Sequence, residues 1–557
     1  MREERNGWYP RLLWVGVAGL LLWGAGCADP FIESAYRSVG PPLEELRVID
    51  TIRLADESRS APVSIEDATQ EAMVNLLEPA QLPESIDLDL AAVRVAALAN
   101  NLDLKVELIA PSIARTSVGE EEAKFEATFT GSARRSRADS ATEFATESAQ
   151  STVDNYSLGF QLPLVTGGIA SLILPLGRSE TDNPFSLFAG AVYSANPRFS
   201  ISQPLLRGAG IATNTYSIRV ARHQEKITNA QTKLEAIRVL ANADRAYWLL
   251  YAARRQLEVR VQQYQLAVEQ LEQARRKVNA GDAPQIEITR AESGVASRLE
   301  DIIVAQTVLN RRQRNLKRIM NRPDLPMQSP TALIPVSDPA PVYLDLDPVA
   351  LGEYAIANRM EMLELELQLA IDASTIDLER NAALPLFTVD YSYTINGLAS
   401  SMGGAFDQIN DRSFEDWSVG LTAEIPIGNE RAKARVHRAI LTRLQRLATR
   451  EQRRQAILQE VYDAVDLMNQ EWQRILAARQ AAILAGRTYE AERRQFEVGV
   501  RTSTDVLDAA ARLADAQSSE VRALADYERA RVDIAFSTGT LLGYDHIRWE
   551  PTETEGK

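Results

Sequence analysis

Apolar and polar side chains alternate along three short stretches of the chain. A repeat of every second residue is typical of a β-strand with two different faces. Each stretch has about the 9–11 residues that a tilted membrane strand needs. The stretches are YSLGFQLPLV at 156–165, FTVDYSYTIN at 387–396 and WSVGLTAEIPI at 417–427.

Two interpretations of these strands remain open. A soluble, half-buried sheet has the same period, whereas apolar-out and polar-in alternation with aromatic residues near the ends is typical of outer-membrane β-barrels. The polar, glycine-rich segments 131–154 and 396–416 favour the second interpretation because they are similar to extracellular loops. Since open sheet edges are not tolerated in lipid, such a barrel would need several copies of the chain. The strand region of the first half of the chain carries about 36 residues without a counterpart in the second half. They include the pair Gly167-Gly168, which suits a tight turn, and this extra hairpin either joins the barrel or decorates its outside.

Two proline-free stretches show helical periodicity over a much greater length. A helix from about Thr213 to Ala280 would be roughly 100 Å long, and a second long helical stretch begins after Ile427. Apolar residues step by four and three along both, which indicates left-handed coiled-coil packing. The expected seams comprise Leu257, Val261, Tyr264, Val268, Leu271 and Val278 in the first stretch, and Val461, Val465, Met468, Trp472, Ile475, Ala482, Tyr489 and Phe496 in the second.

A glycine interrupts each long stretch near its end. Gly281 is followed by Asp282, and Gly499 is followed by Val500 and Arg501. We expect both glycines to form the tips of antiparallel helical hairpins. After the second tip, Thr502 and Asp505 have capping-box spacing.

Two acidic residues follow the second tip at helical spacing. Asp505 and Asp508 are three residues apart and share one helix face. In a symmetric oligomer, copies of both residues would form rings of carboxylates near one axis, and such rings favour cations in a narrow pore. The alternative is that Asp505 only caps the helix and complements its dipole, which accounts less well for Asp508.

The order of these features repeats within the chain. LDLAAVRVAALANNLDL at 88–104 aligns with LDPVALGEYAIANRMEM at 346–362, and ARRKVNAGDAPQIEITRAE at 274–292 aligns with ERRQFEVGVRTSTDVLDAA at 492–510. Each half therefore predicts short helices, strands, a long helix, a glycine tip and a return helix. The expected divisions are a signal peptide at 1–26, a tether at 27–84, a first repeat at 85–322, a linker at 323–345, a second repeat at 346–543 and a tail at 544–557.

Composition and the N-terminus restrict the location and the class of function. The net charge of −15 and the absence of a basic stripe exclude a typical nucleic-acid binder. An apolar run at 12–26, too short for a membrane span, predicts a signal peptide. It ends at Cys27, the single cysteine, in a pattern that resembles a lipoprotein signal, although Gly24 occupies a position where that pattern prefers leucine. An ordinary signal peptide with an incidental cysteine is the alternative.

Taken together, residues 85–545 resemble the outer-membrane efflux protein family of TolC-like channels. The most specific element is GVRTSTDVLDA at 499–509, supported by the repeat and by SQPLLRG at 202–208. The resemblance implies an α+β membrane protein and a homotrimer. Each chain would give four strands to a shared barrel, which a long antiparallel α-helical coiled-coil barrel continues through the periplasm.

The resemblance also implies partners and site residues. A periplasmic adaptor protein would dock at the hairpin tips and connect the channel to an inner-membrane RND or ABC transporter, for efflux or type I secretion across the outer-membrane lipid. Asp505 and Asp508 match the family's acidic constriction, and Arg501 matches a tip arginine that helps to hold the closed state. The docking tips would comprise Gly281, Asp282, Gly499, Val500 and Arg501. The first repeat departs from this pattern because Glu287 and Arg290 stand where the second repeat has its two acids.

Two other classes of function were considered. A trimeric coiled-coil spacer or adhesion scaffold would explain the helices but not the alternating strands. Catalysis has little support, because the chain has three widely spaced histidines and no phosphate-binding glycine loop after a strand. We therefore expect no catalytic residues, no cofactor and no metal centre.

Overall fold

The computed structural model describes residues 65, 84–139, 150–181 and 190–547. The predicted signal peptide, Cys27 and nearly all of the predicted tether lie outside the described residues, as does most of the C-terminal tail.

The helices fall into two size classes, short ones of up to 23 residues and long ones of 35 to 68 residues. The short helices are α1 (Leu90–Asn100), α2 (Leu102–Glu107), α3 (Ala110–Glu122), α4 (Ile211–Asn214), α7 (Pro348–Asn358), α8 (Met360–Ala382), α9 (Met402–Asn410) and α12 (Leu541–Tyr544). The long helices are α5 (Tyr216–Asn279), α6 (Ile286–Met320), α10 (Glu430–Glu497) and α11 (Ser503–Ser537).

The strands form a small parallel pair and one large sheet. The pair consists of β1 (Ser85–Leu88) and β7 (Ala332–Pro335). The large sheet contains β2 (Thr128–Asp139), β3 (Gln150–Pro163), β4 (Ile169–Thr181), β5 (Ala191–Ala195), β6 (Arg198–Pro204), β8 (Leu386–Ile395), β9 (Gly397–Ala399) and β10 (Glu415–Glu424).

Six strands of the large sheet are neighbours in the order β10-β8-β6-β4-β3-β2, and each pair is antiparallel. The family resemblance implies four barrel strands per chain, whereas the sheet of the described residues has six strands in this order. The difference arises because the extra residues of the first half form β3 and β4, which lie between β2 and β6 in the sheet. The extra hairpin is thus hydrogen-bonded into the sheet on both sides.

The prediction that 131–154 is a loop is also wrong for most of its length. Residues up to Asp139 continue β2, and residues from Gln150 onward already belong to β3. The many polar residues of this segment concealed the strands. The predicted loop 396–416 contains the short strand β9, the helix α9 and the start of β10.

The register of the six strands separates two kinds of side chain. One row across the sheet, here called the apolar row, consists of Phe129, Phe160, Leu172, Phe199, Tyr393 and Trp417. The adjacent row on the opposite face, the polar row, consists of Thr128, Gln161, Ser171, Ser200, Ser392 and Ser418. Hydroxyls within the polar row bond to one another, at 2.7 Å between Ser171 and Ser200 and 2.8 Å between Ser392 and Ser418.

The long helices pack as two hairpins, α5 with α6 and α10 with α11, and α5 also packs against α11. The seam predicted along α10 is confirmed at six positions, since Val461, Val465, Met468, Ile475, Ala482 and Phe496 are buried. Trp472 and Tyr489 are half-buried. The seam predicted along α5 is only partly right. Leu271 is buried, but the other fully buried positions in this region are Gln263, Ala267, Gln270 and Ala274. The reason is that α5 touches two return helices, so its contact surface is broader than a single heptad stripe.

A buried charge cluster joins the C-terminal segment to the body of the protein. The Arg94 guanidinium donates to both carboxylate oxygens of Asp244, at 2.9 and 2.8 Å, and lies 2.7 Å from Oδ1 of Asp545. Burial raises the pKa of Asp545 to about 7, and the neighbouring Asp244 carboxylate adds to this effect against the opposing Arg94. Two acids thus share one arginine where α1, α5 and the end of α12 meet.

Candidate channel gate and hairpin tips

Both helical hairpins turn at their glycine through the same backbone motif. Gly281 and Gly499 have φ angles of +82° and +81°, a conformation that favours glycine. At the first tip, Gly281 N donates to Val278 O and Asp282 N donates to Lys277 O. Gly499 N and Val500 N bond in the same way at the second tip. This pair of bonds is the Schellman motif, which satisfies the last carbonyls of a helix.

A capping box begins the return helix α11. The Asp505 backbone N–H donates to Thr502 Oγ1, and the Asp505 carboxylate accepts from the Thr502 N–H at 2.9 Å and from its hydroxyl at 2.8 Å. These hydrogen bonds, the backbone one first, lower the pKa of Asp505. The cap interpretation of Asp505 is therefore correct. It does not exclude a second role, because the same bonds keep this carboxylate charged at neutral pH.

Asp508 differs from Asp505 in its contacts. It lies in the second turn of α11 and is exposed, and within the described residues it takes part in no ion pair. At the other tip, Arg290 Nη1 lies 2.7 Å from Glu287 Oε1, so these two charges pair with each other. At these aligned positions, an acid without an ion pair therefore occurs in the second hairpin and not in the first. No group of three His, Cys, Asp or Glu side chains placed to hold a metal occurs among the described residues.

The contacts of Arg501 with other described residues lie within its own hairpin. Its Nε lies 3.1 Å from Oε1 of Gln495 and 3.2 Å from Oε2 of Glu492. Both partners lie in the last turns of α10, so Arg501 ties the tip back onto the helix that precedes it. Its predicted part in holding a closed state stays a prediction.

Apolar side chains flank the second glycine and point into solvent. Val498 and Val500 are 74% and 73% exposed. Asp282 at the first tip is also exposed. Exposed apolar groups beside a fixed turn are suited to protein contacts.

A contact between the two tips was not found from the sequence. Lys277, in the last turn of α5, donates to the carbonyl oxygen of Phe496 at the end of α10. Its ammonium also lies over the Phe496 ring. The alignment of the two halves places these residues near corresponding tips, but nothing in it indicates that the hairpins meet there.

Comparison with known proteins connects this arrangement to a family. Residues 351–540 match the family model described as "Outer membrane efflux protein". The predicted family resemblance is confirmed. The match covers the second half, including the tip at Gly499 and both aspartates.

Relatives of this family agree with that result. The outer membrane protein TolC of Vibrio cholerae is 23% identical over 335 residues, which cover 59% of this chain and 74% of TolC. The fold is similar to that of CusC, with a TM-score of 0.61, 17% identity and coverage of 84% of this chain and 95% of CusC. The Neisseria gonorrhoeae MtrE channel in its open state gives a TM-score of 0.59 at 18% identity, with coverage of 81% and 89%.

The matched family is that of outer-membrane efflux proteins, and the relatives are described as outer-membrane proteins and channels. The predicted outer-membrane location is thus confirmed at the level of the family. No described helix is both long and apolar enough to cross a membrane.

Proposed function

We propose that the chain is the outer-membrane duct of a tripartite efflux or type I secretion system. The observation that carries this proposal is the combination, in one chain, of a sheet with one apolar exposed face and two helical hairpins with glycine tips. The sheet would cross the outer membrane and the hairpins would extend into the periplasm. A helix of 68 residues spans about 100 Å at 1.5 Å per residue.

The open edges of the sheet support an oligomer. β2 and β10 are the two end strands of the six-strand order, and among the described residues each pairs on one side only. Unpaired edges are not tolerated in lipid. Copies of the chain would pair β2 of one with β10 of the next, and the family resemblance makes the expected number of copies three.

The same symmetry would assemble the gate. Three copies of α11 around one axis would bring together three copies each of Asp505 and Asp508. Asp505 is held by its capping box and Asp508 is unpaired, so the ring combines a fixed layer and a free layer of carboxylates. Such a ring favours cations and binds divalent cations as a plug.

The partners would meet the channel at its tips. Gly281, Asp282, Gly499, Val500 and Arg501 would contact a periplasmic adaptor, which connects to an inner-membrane RND or ABC transporter. The tandem repeat supports this arrangement because it places two similar tips in each chain. Cys27 would carry a lipid that anchors the N-terminus in the same membrane.

Native mass measurement after gentle extraction from membranes tests the proposal. We expect three copies of the chain, together with an adaptor and an inner-membrane transporter when the complex is cross-linked before extraction. A spacer or adhesion scaffold would instead remain soluble without detergent once Cys27 is replaced. A soluble Cys27→Ser protein that binds no transporter would contradict the proposal.

A further inference from the structure

We infer that the added hairpin β3–β4 is part of the barrel wall, so that three chains form a barrel of 18 strands and not 12. This inference rests on the proposed trimeric channel. It determines which strands of each subunit contact lipid, the lumen and the neighbouring subunits. Its basis is the six-strand order of the sheet.

The apolar row and the polar row both continue without a break through the added strands. Phe160 and Leu172, from β3 and β4, complete the apolar row between Phe129 and Phe199. Gln161 and Ser171 complete the polar row in the same way. A hairpin folded over the outside of a barrel would have no reason to match both rows of its neighbours.

Five of the six side chains of the apolar row are exposed in the single chain, and the sixth, Tyr393, is half-buried. Phe129, Leu172 and Trp417 are 68%, 52% and 71% exposed, so the first strand, an added strand and the last strand are alike. A contiguous apolar surface of this kind needs a partner. The polar row lies on the opposite face, although Ile169 and Ile173 of β4 share that face with Ser171. Lipid is therefore the partner that fits the apolar row, and water is the one that fits the polar row.

The turn of the added hairpin is fitted to the base of the sheet. Gly167 has a φ of +92°, and a Cβ added there would lie 2.2 Å from the carbonyl oxygen of Gly208. The carbonyl oxygen of Thr166 accepts hydrogen bonds from Gly210 N at 3.0 Å and from Gln203 Nε2 at 3.1 Å. The turn is thus bonded to the segment that leads from β6 into the long helix α5.

Inserting two strands preserves the geometry that a barrel needs. Two strands leave the up-and-down alternation unchanged, so β2 and β10 still run antiparallel and can pair between subunits. Six strands per chain also give an even total, as in bacterial barrels. Because the barrel diameter grows roughly linearly with strand number, the membrane pore would be about 1.5 times as wide as with four strands per chain.

Matched cysteine pairs test this inference. Ser171 and Leu172 in β4 lie in the same two rows as Ser392 and Tyr393 in β8. Each of the four residues is changed to cysteine in turn, the trimer is reconstituted in lipid nanodiscs, and labelling by a charged, water-soluble maleimide is timed. The unchanged protein, with Cys27 alone, provides the background.

We expect Ser171→Cys to react at least about tenfold faster than Leu172→Cys, as Ser392→Cys does relative to Tyr393→Cys. Equal reactivity of the β4 pair, with alternation kept in the β8 pair, would overturn the inference and leave the channel proposal intact. Loss of alternation in both pairs would overturn both. Electron microscopy of the same nanodiscs should then count 18 strands, and a count of 12 would refute the inference.

Discussion

Lys277 Nζ lies 3.0 Å from the carbonyl oxygen of Phe496 and 3.7 Å from the centroid of its ring. One side chain from the end of α5 therefore holds the end of α10. A hydrogen bond and a cation–π contact of this kind are each worth about 1 kcal/mol. This link joins the two hairpins of one subunit where the proposed gate lies.

Replacing Lys277 with methionine keeps an apolar side chain but removes the charge and the donor. We expect Lys277→Met to raise the open fraction of single channels severalfold, because the tips separate more easily. Open probability in planar bilayers measures the effect, and gel mobility of the unheated protein checks that the oligomer persists. Lys433→Met, which removes an exposed pair with Glu430, is the control, and equal open probabilities of all three proteins would argue against the link.

The capping and gating roles of the two acids can be separated. Thr502→Val removes the side-chain oxygen of the capping box and should destabilise α11 by about 1 kcal/mol, with cation selectivity unchanged. Asp508→Asn should lower cation selectivity and leave stability almost unchanged. Asp508 is exposed and has no ion pair among the described residues, so its substitution should alter stability by less than about 0.5 kcal/mol. Thermal unfolding and reversal potentials in a salt gradient measure the two effects. Unaltered selectivity in Asp508→Asn would rule out its place in the gate.

If the adaptor docks at the tip, a substitution there should abolish docking and leave the channel itself intact. Val500→Glu alters an exposed side chain and should abolish co-purification with the adaptor and export, with trimer and thermal stability unchanged. Gly499→Ala provides a contrast because it should destabilise the turn itself. A residue with a Cβ at positive φ costs about 1–2 kcal/mol, even though no atom lies within 4 Å of a Cβ added at Gly499. If Val500→Glu protein exports normally, the tip does not dock.

The Arg94 cluster predicts a pH dependence of stability. The pKa of Asp545 is about 7 in the folded chain against an ordinary 3.8, so the folded state prefers the protonated carboxyl. The free energy of unfolding should therefore fall as pH rises from about 4 to about 7, by up to about 1.4 kcal/mol per unit of pKa difference. Asp545→Asn should flatten this decline in thermal unfolding scans at pH 5 and pH 8. A decline as steep in Asp545→Asn as in the unchanged chain would show that another group titrates.

Features set by local sequence were predictable. Gly281, Gly499 and the pair Thr502 and Asp505 determine turns and caps through bonds within a few residues. The seam of α10 was also predictable because that helix buries one narrow stripe. The family match followed from the segment around Gly499, where these local signals coincide with the two acids.

Features set by contacts between distant segments were not predictable. The seam of α5 shifts because two helices pack on it, and the Lys277 contact joins residues more than 200 positions apart. β2 was taken for a loop because its arginines and serines hide the period of two. The place of β3 and β4 in the sheet depends on pairing with β2 and β6, which no single strand encodes.

Conductance of the purified protein in planar lipid bilayers tests the central claim most directly. The account predicts small, cation-selective conductance steps that divalent cations block, and a larger conductance with weaker block after Asp505→Ala is combined with Asp508→Ala. Thr502→Val, which disturbs the same cap but keeps both acids, should retain the block. Absence of any conductance, even in the double variant, would contradict the claim that this chain forms a channel.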